Sequence, residues 1–166
     1  MKLSMRAFVV VALLGLSLLL SACGGGGTAA PAGGGSGSGE ASGGGATIEI
    51  ASVGENLAYD KTELSATSGQ EVTVRFQNTS AAQQHNWVLV DGGADVAQQI
   101  ATNGIAAGAD ANYLPSDAAN VIASTPLANA NETTEVTFTA PEPGTYLYIC
   151  TVPGHYPLMQ GTLTVN

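Results

Sequence analysis

The chain has 166 residues, with thirteen acidic side chains against four lysines and arginines, and a formal net charge of −9. All the acidic residues follow Cys23, whereas Lys61 and Arg75 are the only cations beyond that point. Nucleic-acid binding depends on clustered lysine and arginine, so this balance excludes nucleic acid as a natural partner. The length suits one folded domain.

The first 22 residues have the pattern of a secretory signal peptide. Lys2 and Arg6 precede an apolar run, residues 7–20, that is short for a membrane span. Residues 20–23, Leu-Ser-Ala-Cys, resemble a bacterial lipobox, in which the cysteine carries diacylglycerol and acyl chains such as palmitate. We therefore expect cleavage after residue 22 and lipidation of Cys23. An ordinary signal peptide with a chance cysteine, or an uncleaved anchor helix, are the alternatives.

Residues 23–46 are predicted to form a flexible tether. Twelve of the 23 residues after Cys23 are glycine, and none has a large apolar side chain. Such a segment cannot bury enough surface to offset its chain entropy. Its root-mean-square span would be roughly 25 Å. We expect a folded domain, residues 47–166, held at the bacterial cell membrane and facing the periplasm or the outer side.

The folded part has short strand-like runs separated by turn residues. We predict strands at residues 47–52, 56–65, 71–76, 85–90, 134–140, 144–150 and 159–165, a short helix at 94–101 that ends before Gly104, and an irregular flap at 103–126. This pattern favours an all-β fold, a Greek-key β-sandwich of about 7–8 strands with one short helix in an inserted flap.

The stretch CTVPGHYPLM, residues 150–159, concentrates the soft metal ligands of the chain. If Cys23 is lipidated, Cys150 is the one remaining thiol and the domain forms no internal disulfide. A blue copper site uses one thiolate, two imidazoles and a weak axial thioether. The candidate ligands of a single copper ion are His85, Cys150, His155 and Met159. Taken singly, each of these residues would more often be part of a hydrophobic core.

The same residues resemble the cupredoxins, particularly the azurin and auracyanin types. The Cys-x4-His-x3-Met spacing, the CTVPGH opening and the pair His85-Asn86 carry this resemblance. It implies a cupredoxin-like fold with one type 1 copper ion. It also implies that the N–H groups of Asn86 and Val152 bond to the Cys150 sulfur, and that the Asn86 side chain braces the ligand loop. Gln84 stands where azurins have glycine, and its carbonyl is a candidate weak contact.

The resemblance implies a monomeric single-electron carrier, not an enzyme. No further histidines remain for a second copper centre. The expected partners are a quinol-oxidising complex and a cytochrome c type protein. Electrons would leave through His155 and an apolar exit patch made of Pro153, Gly154, Tyr156, Pro157 and Leu158. Two alternatives stay open: a copper storage or delivery lipoprotein, and a metal-free lipoprotein that binds a partner at the cell surface.

Overall fold

A computed structural model describes residues 45–166. The predicted signal peptide, the lipidation of Cys23 and the tether up to residue 44 lie outside the described residues. The first strand begins at Ala46, one residue inside the predicted tether. Within residues 45–166, no helix combines the length and the apolar character that a membrane crossing requires.

The described residues form nine strands and one α-helix. The strands are β1 (Ala46–Val53), β2 (Asn56–Tyr59), β3 (Glu63–Ala66), β4 (Glu71–Gln77), β5 (Val88–Val90), β6 (Val121–Ser124), β7 (Thr133–Thr139), β8 (Gly144–Ile149) and β9 (Gln160–Val165). The helix α1 spans Ala94–Ala107 and is followed by a 3-10 turn at Ala109–Ala111. Strand β4 shows why alternation predicts these elements, since Val72, Val74 and Phe76 are buried and Arg75 is exposed.

The strands form two sheets. One has the order β2-β1-β4-β7 and the other the order β3-β9-β8-β5-β6. The pairs β1–β4 and β3–β9 are parallel, and all other named pairs in the described residues are antiparallel. Ile50 and Phe76 from the first sheet share one buried cluster with Tyr148 and Leu163 from the second. The predicted all-β sandwich is confirmed, with nine strands in place of seven or eight.

The flap departs most from the prediction. Helix α1 continues to Ala107, so Gly104 lies inside it and does not end it. A Cβ atom on Gly104 would lie 2.0 Å from the carbonyl oxygen of Tyr113, so glycine is needed there for close packing. Gly108, with φ of 76°, ends the helix. The segment predicted as irregular also contains β6, which pairs with β5.

Two predicted strands are also corrected. The run at residues 56–65 is two strands, because the chain leaves the first sheet after Tyr59 and enters the second at Glu63. The run at residues 85–90 is a strand only from Val88. His85 instead makes an isolated antiparallel bridge to Ala128, outside the named strands.

Candidate metal centre

The ligand loop, residues 150–159, joins β8 to β9. Cys150 directly follows β8 and Met159 directly precedes β9, and the Cys150 N–H donates to the Met159 carbonyl at 3.0 Å. Inside the loop, the carbonyl of His155 accepts the N–H groups of Leu158 and Met159, both at 2.9 Å. These bonds close the loop into a compact turn, so Cys150, His155 and Met159 emerge from one end of the second sheet.

Three of the predicted ligands meet at one point. His85 Nδ1 and His155 Nδ1 lie 3.1 Å apart, and Cys150 Sγ lies 3.8 Å and 3.4 Å from them. The centre of this triangle falls inside it, about 2.0 Å from each atom, which fits first-row metal bonds to imidazole and thiolate of about 2.0–2.3 Å. The residues present therefore fit a metal ion held in a trigonal plane.

Burial sets the protonation of these ligands. His85 and Cys150 are fully buried and His155 is 8 % exposed. Desolvation, with a smaller contribution from His155, lowers the pKa of His85 to about 4, and desolvation also lowers the pKa of His155. Burial raises the pKa of the Cys150 thiol to about 11. At neutral pH both imidazoles are thus uncharged, the form that binds metals, and the thiol gives up its proton when a metal binds.

Two backbone N–H groups act on the Cys150 sulfur. Those of Asn86 and Val152 lower the pKa of the thiol and partly oppose the effect of burial. Two fixed donors aimed at a buried sulfur stabilise negative charge there. Hydrogen bonding around a thiolate ligand also tunes the reduction potential of a copper site.

The side chain of Asn86 joins the two segments that carry the ligands. Its Oδ1 accepts the Thr151 N–H at 2.9 Å, and its Nδ2 donates to Thr151 Oγ1 at 2.8 Å. The same Nδ2 also donates to the carbonyl of Asn112 in the flap at 2.9 Å. Asn86 and Thr151 are almost wholly buried. Thr151 and Asn112 are parts of the centre that sequence reasoning missed.

A second buried asparagine supports the segment before His85. The Nδ2 of Asn78 donates to the carbonyls of Gln83, Ala128 and Asn129 at 2.7, 3.1 and 2.9 Å. Ala128 in turn exchanges backbone hydrogen bonds with His85. Asn78 therefore fixes the backbone against which His85 rests. No pattern in the sequence singles it out, because its partners are carbonyl groups brought together only by the fold.

The metal contacts predicted for Met159 and for the Gln84 carbonyl stay predictions. Met159 is fully buried and shares the main core cluster with Cys150. Gln84 is half-buried, and its side chain donates to Asn129 Oδ1 at 2.8 Å.

The exit patch lies on the outer side of the ligand loop. Leu158 is 69 % exposed, and Pro153, Gly154 and Pro157 are exposed beside it. The Tyr156 hydroxyl donates to the carbonyl of Ala94 at 3.2 Å, which fastens the loop to the start of α1. One apolar member was missed: Ile105 on α1 is 54 % exposed and lines the same groove as Gly154 and Tyr156. The apolar surface therefore continues from the loop onto the helix.

Comparison with known protein families gives one match that spans the described domain. The family described as copper binding proteins, plastocyanin/azurin family, matches residues 46–166. The chain is also 61 % identical over 166 residues to auracyanin-A of Chloroflexus aurantiacus, a match that covers all of both chains.

Solved structures agree with this comparison. The structure of auracyanin A, a "blue" copper protein from Chloroflexus aurantiacus, is 67 % identical, with a TM-score of 0.73, and covers 74 % of this chain and all of that one. Dithionite-reduced auracyanin from Roseiflexus castenholzii is 52 % identical, with a TM-score of 0.69, and covers 72 % of this chain and 96 % of that one. The resemblance predicted from His85-Asn86 and the ligand loop is confirmed.

Proposed function

The chain belongs to the plastocyanin/azurin family of copper-binding proteins, and from this premise we propose that it shuttles single electrons between membrane redox complexes while anchored by a lipid on Cys23. It is a blue copper electron carrier, with copper as its cofactor. When bound, copper supplies a one-electron Cu(I)/Cu(II) couple. The observation that carries the proposal is the buried His85–Cys150–His155 triangle beneath an exposed apolar patch.

The burial of the ligands supports a carrier over the alternatives. His85, Cys150 and Met159 have no exposed surface, so a substrate has no approach to them. Copper delivery requires ligands that an acceptor can reach and exchange, which this burial opposes. His155, whose imidazole ring would bind the metal, is the most exposed of the four predicted ligands, at 8 %, and its neighbours Gly154 and Tyr156 belong to the exit patch. Electron transfer needs only close approach of a partner to that ring.

Charge around the patch favours a basic partner. Helix α1 and the flap carry Asp95, Asp110 and Asp117, all exposed, and no lysine or arginine. Both cations of the described residues are paired elsewhere, Lys61 with Asp60 and Arg75 with two glutamates. An apolar patch on a domain with an acidic helix and flap suits a c-type cytochrome whose exposed haem edge is ringed by lysines. We propose such a protein as the electron acceptor and a quinol-oxidising complex as the donor.

The lipid anchor would restrict the search for both partners to the membrane surface. The lipobox-like residues 20–23 and the glycine-rich segment that follows support this part of the proposal. A tether of roughly 25 Å would let the domain turn its exit patch towards either complex. Membrane fractions from cells expressing the full chain should contain the protein. A Cys23→Ser variant should leave those fractions, and its continued retention would contradict the anchor.

The decisive experiment is a visible absorption spectrum of residues 45–166 with Cu(II), alongside Cys150→Ser. We expect an intense blue band that ascorbate abolishes and that the variant lacks. A colourless protein with stoichiometric copper would indicate storage or delivery. A protein that binds no copper would refute the electron-carrier function.

The partner proposal has a separate test. Stopped-flow oxidation of the reduced protein by a lysine-rich c-type cytochrome should slow as salt is added, because screening weakens steering. Ile105→Glu and Leu158→Glu should both slow it at fixed salt. Val53→Glu, which changes an exposed apolar residue of β1, is the matched control. Equal rates in all three variants would show that the patch does not dock this partner.

A further inference from the structure

The flap reaches the metal centre through Asn112. This residue follows the 3-10 turn and has φ of 55°, and Tyr113 after it has φ of 53°. Left-handed backbone is costly for residues other than glycine, and asparagine tolerates it better than most. Two such residues in succession turn the chain sharply. The turn brings the Asn112 carbonyl within hydrogen-bond distance of Asn86, next to Thr151.

Asn112 is tied to three separate segments. Its carbonyl accepts Asn86 Nδ2 at 2.9 Å and Thr151 Oγ1 at 3.4 Å. Its side-chain Oδ1 accepts the N–H of Leu127 at 2.8 Å, on the segment that follows β6. The side chain therefore fixes the peptide whose carbonyl braces the metal centre. Without the side chain, only the backbone turn would hold that carbonyl in position.

The helix supports the same turn from its other side. The Tyr113 carbonyl packs so closely on Gly104 that a Cβ atom there would lie 2.0 Å away. Gly104 is buried in the last turn of α1. The position of the turn is thus set by Gly104 on one side and by Asn86 on the other.

We propose that Asn112 is a positioning residue for the copper centre. Through its carbonyl it holds Asn86 and Thr151 together, and these two residues directly follow the ligands His85 and Cys150 in the chain. The flap therefore helps to fix the backbone at both ligands, including the Asn86 N–H that acts on the Cys150 sulfur. The inference rests on copper occupying the His85–Cys150–His155 triangle, and it is independent of the redox partner and of the lipid anchor.

The test compares two substitutions of asparagine in left-handed backbone. Asn112→Gly keeps the backbone conformation accessible and removes the bond to Leu127. Asn131→Gly makes the same change at φ of 60° in an exposed turn before β7.

Donors to the sulfur favour the reduced, more electron-rich state. Asn112→Gly should therefore lower the reduction potential and shift the visible band, and Asn131→Gly should leave both unchanged. Asn112→Asp, which keeps an oxygen acceptor for Leu127, should restore the visible band.

A measurement without copper separates this inference from the proposed function. In the metal-free full chain, Asn112→Gly should speed hydrogen exchange at the Thr151 amide several-fold, while Asn131→Gly should not. If the wild type bound no copper, the proposed function would fail. The exchange at Thr151 would still test whether Asn112 holds Asn86 and Thr151 in position. Unchanged exchange at Thr151, or an unchanged potential with only a lower melting temperature, would overturn the inference.

A second variant keeps the proposal testable should Asn112→Gly fail to fold. Gly104→Ala pushes on the Tyr113 carbonyl from the helix side and leaves the Asn112 side chain itself unsubstituted. It should lower the potential in the same direction and speed exchange at Thr151. A folded Gly104→Ala protein with the wild-type potential would show that the flap does not position the centre.

Discussion

The outer face of the first sheet and the metal-binding end of the sandwich both contain many polar contacts, in opposite surroundings. On the outer face, Thr73 and Thr137 bond directly across β4 and β7 at 2.8 Å. Arg75 lies between Glu49 and Glu135, 3.2 Å from each. All these side chains can be solvated if a partner is lost, so each contact contributes little to stability.

At the metal-binding end, the corresponding polar side chains are not accessible to solvent. Asn78 and Asn86 are fully buried, and Thr151 is 1 % exposed. A buried polar group that loses its partner costs about 1–3 kcal/mol, because water cannot replace the bond. Similar hydrogen bonds are therefore dispensable on one face and essential at the other. A few buried asparagine side chains hold the segments that carry the ligands. On the outer face, many weak pairs each contribute a little to stability.

The largest effect is expected from Asn78→Ala. The substitution removes the donor shared by the carbonyls of Gln83, Ala128 and Asn129, and the acceptor of Ser52 and Ser80. We expect a loss of about 3 kcal/mol in the free energy of unfolding, measured by urea denaturation. Asn120→Ala, at an exposed site, should cost less than about 0.5 kcal/mol. Equal losses in the two variants would remove the distinction between the regions.

Gly161→Ala should have the next largest effect. Its added Cβ would lie 2.2 Å from the Tyr148 hydroxyl and 2.7 Å from the Thr62 carbonyl, so the core must shift. Overpacking of this kind costs about 2 kcal/mol. At Gly144, an exposed glycine of β8, an added Cβ meets its nearest atom at 3.4 Å, so Gly144→Ala should be nearly neutral.

A double variant tests the cause of that effect. Tyr148→Leu removes both the hydroxyl and the ring carbon Cζ, the two Tyr148 atoms that the added Cβ of Gly161→Ala would meet at 2.2 and 2.3 Å, so the two substitutions together should cost less than the sum of each alone. Thermal unfolding of the four proteins measures the coupling. Simple additivity would show that Thr62, not Tyr148, sets the limit.

A smaller, pH-dependent effect is expected from Glu55→Gln. The Ala81 N–H and then the Ser80 hydroxyl hold the pKa of Glu55 below its usual value. The resulting stability is present above the pKa of an unfolded glutamate, about 4.3, and is lost as the pH falls through the lower folded value. The variant should thus be less stable than the wild type at neutral pH, with the difference closing in acid.

Urea unfolding at several pH values checks this expectation. Glu142→Gln is the matched control, since Glu142 is exposed and its carboxylate accepts no hydrogen bond within residues 45–166. A difference between Glu55→Gln and the wild type that persisted in acid would show that the charge of Glu55 is not its source.

Arg75→Ala should change stability least. Its two ion pairs are exposed, so we expect a loss of about 0.5 kcal/mol that shrinks further as salt is added. Chemical denaturation in low and high salt would measure it. A loss as large as that of Asn78→Ala would show that the outer face depends on single contacts after all.

The sequence predicts those parts of the molecule in which neighbouring residues act together. Strand β4 alternates because one face is buried, and the ligand loop has a spacing that one turn can satisfy. The break after Tyr59 was missed because only residues 60–62, without glycine or proline, separate the two short strands. The extension of α1 was missed because a glycine is a common signal for the end of a helix. Here Gly104 instead allows close packing against Tyr113, which lies nine residues further on.

The supporting asparagines could not have been predicted from any local pattern. Asn78 and Asn112 act on carbonyl groups and amides far away in sequence, such as Ala128 and Leu127. Their importance follows from which backbone groups the completed fold brings together around one amide side chain. Asn86 was predicted only through its resemblance to a known motif.

The turn at Asn112 has a consequence for how the flap can change in length. Between Gly104 and Asn112 both ends are fixed, so one inserted or deleted residue would separate the helix contact from the contact with Asn86. Beyond Leu114, residues 116, 117, 119 and 120 are exposed. Insertions in proteins of this fold should therefore accumulate after residue 114 and be rare between residues 104 and 113.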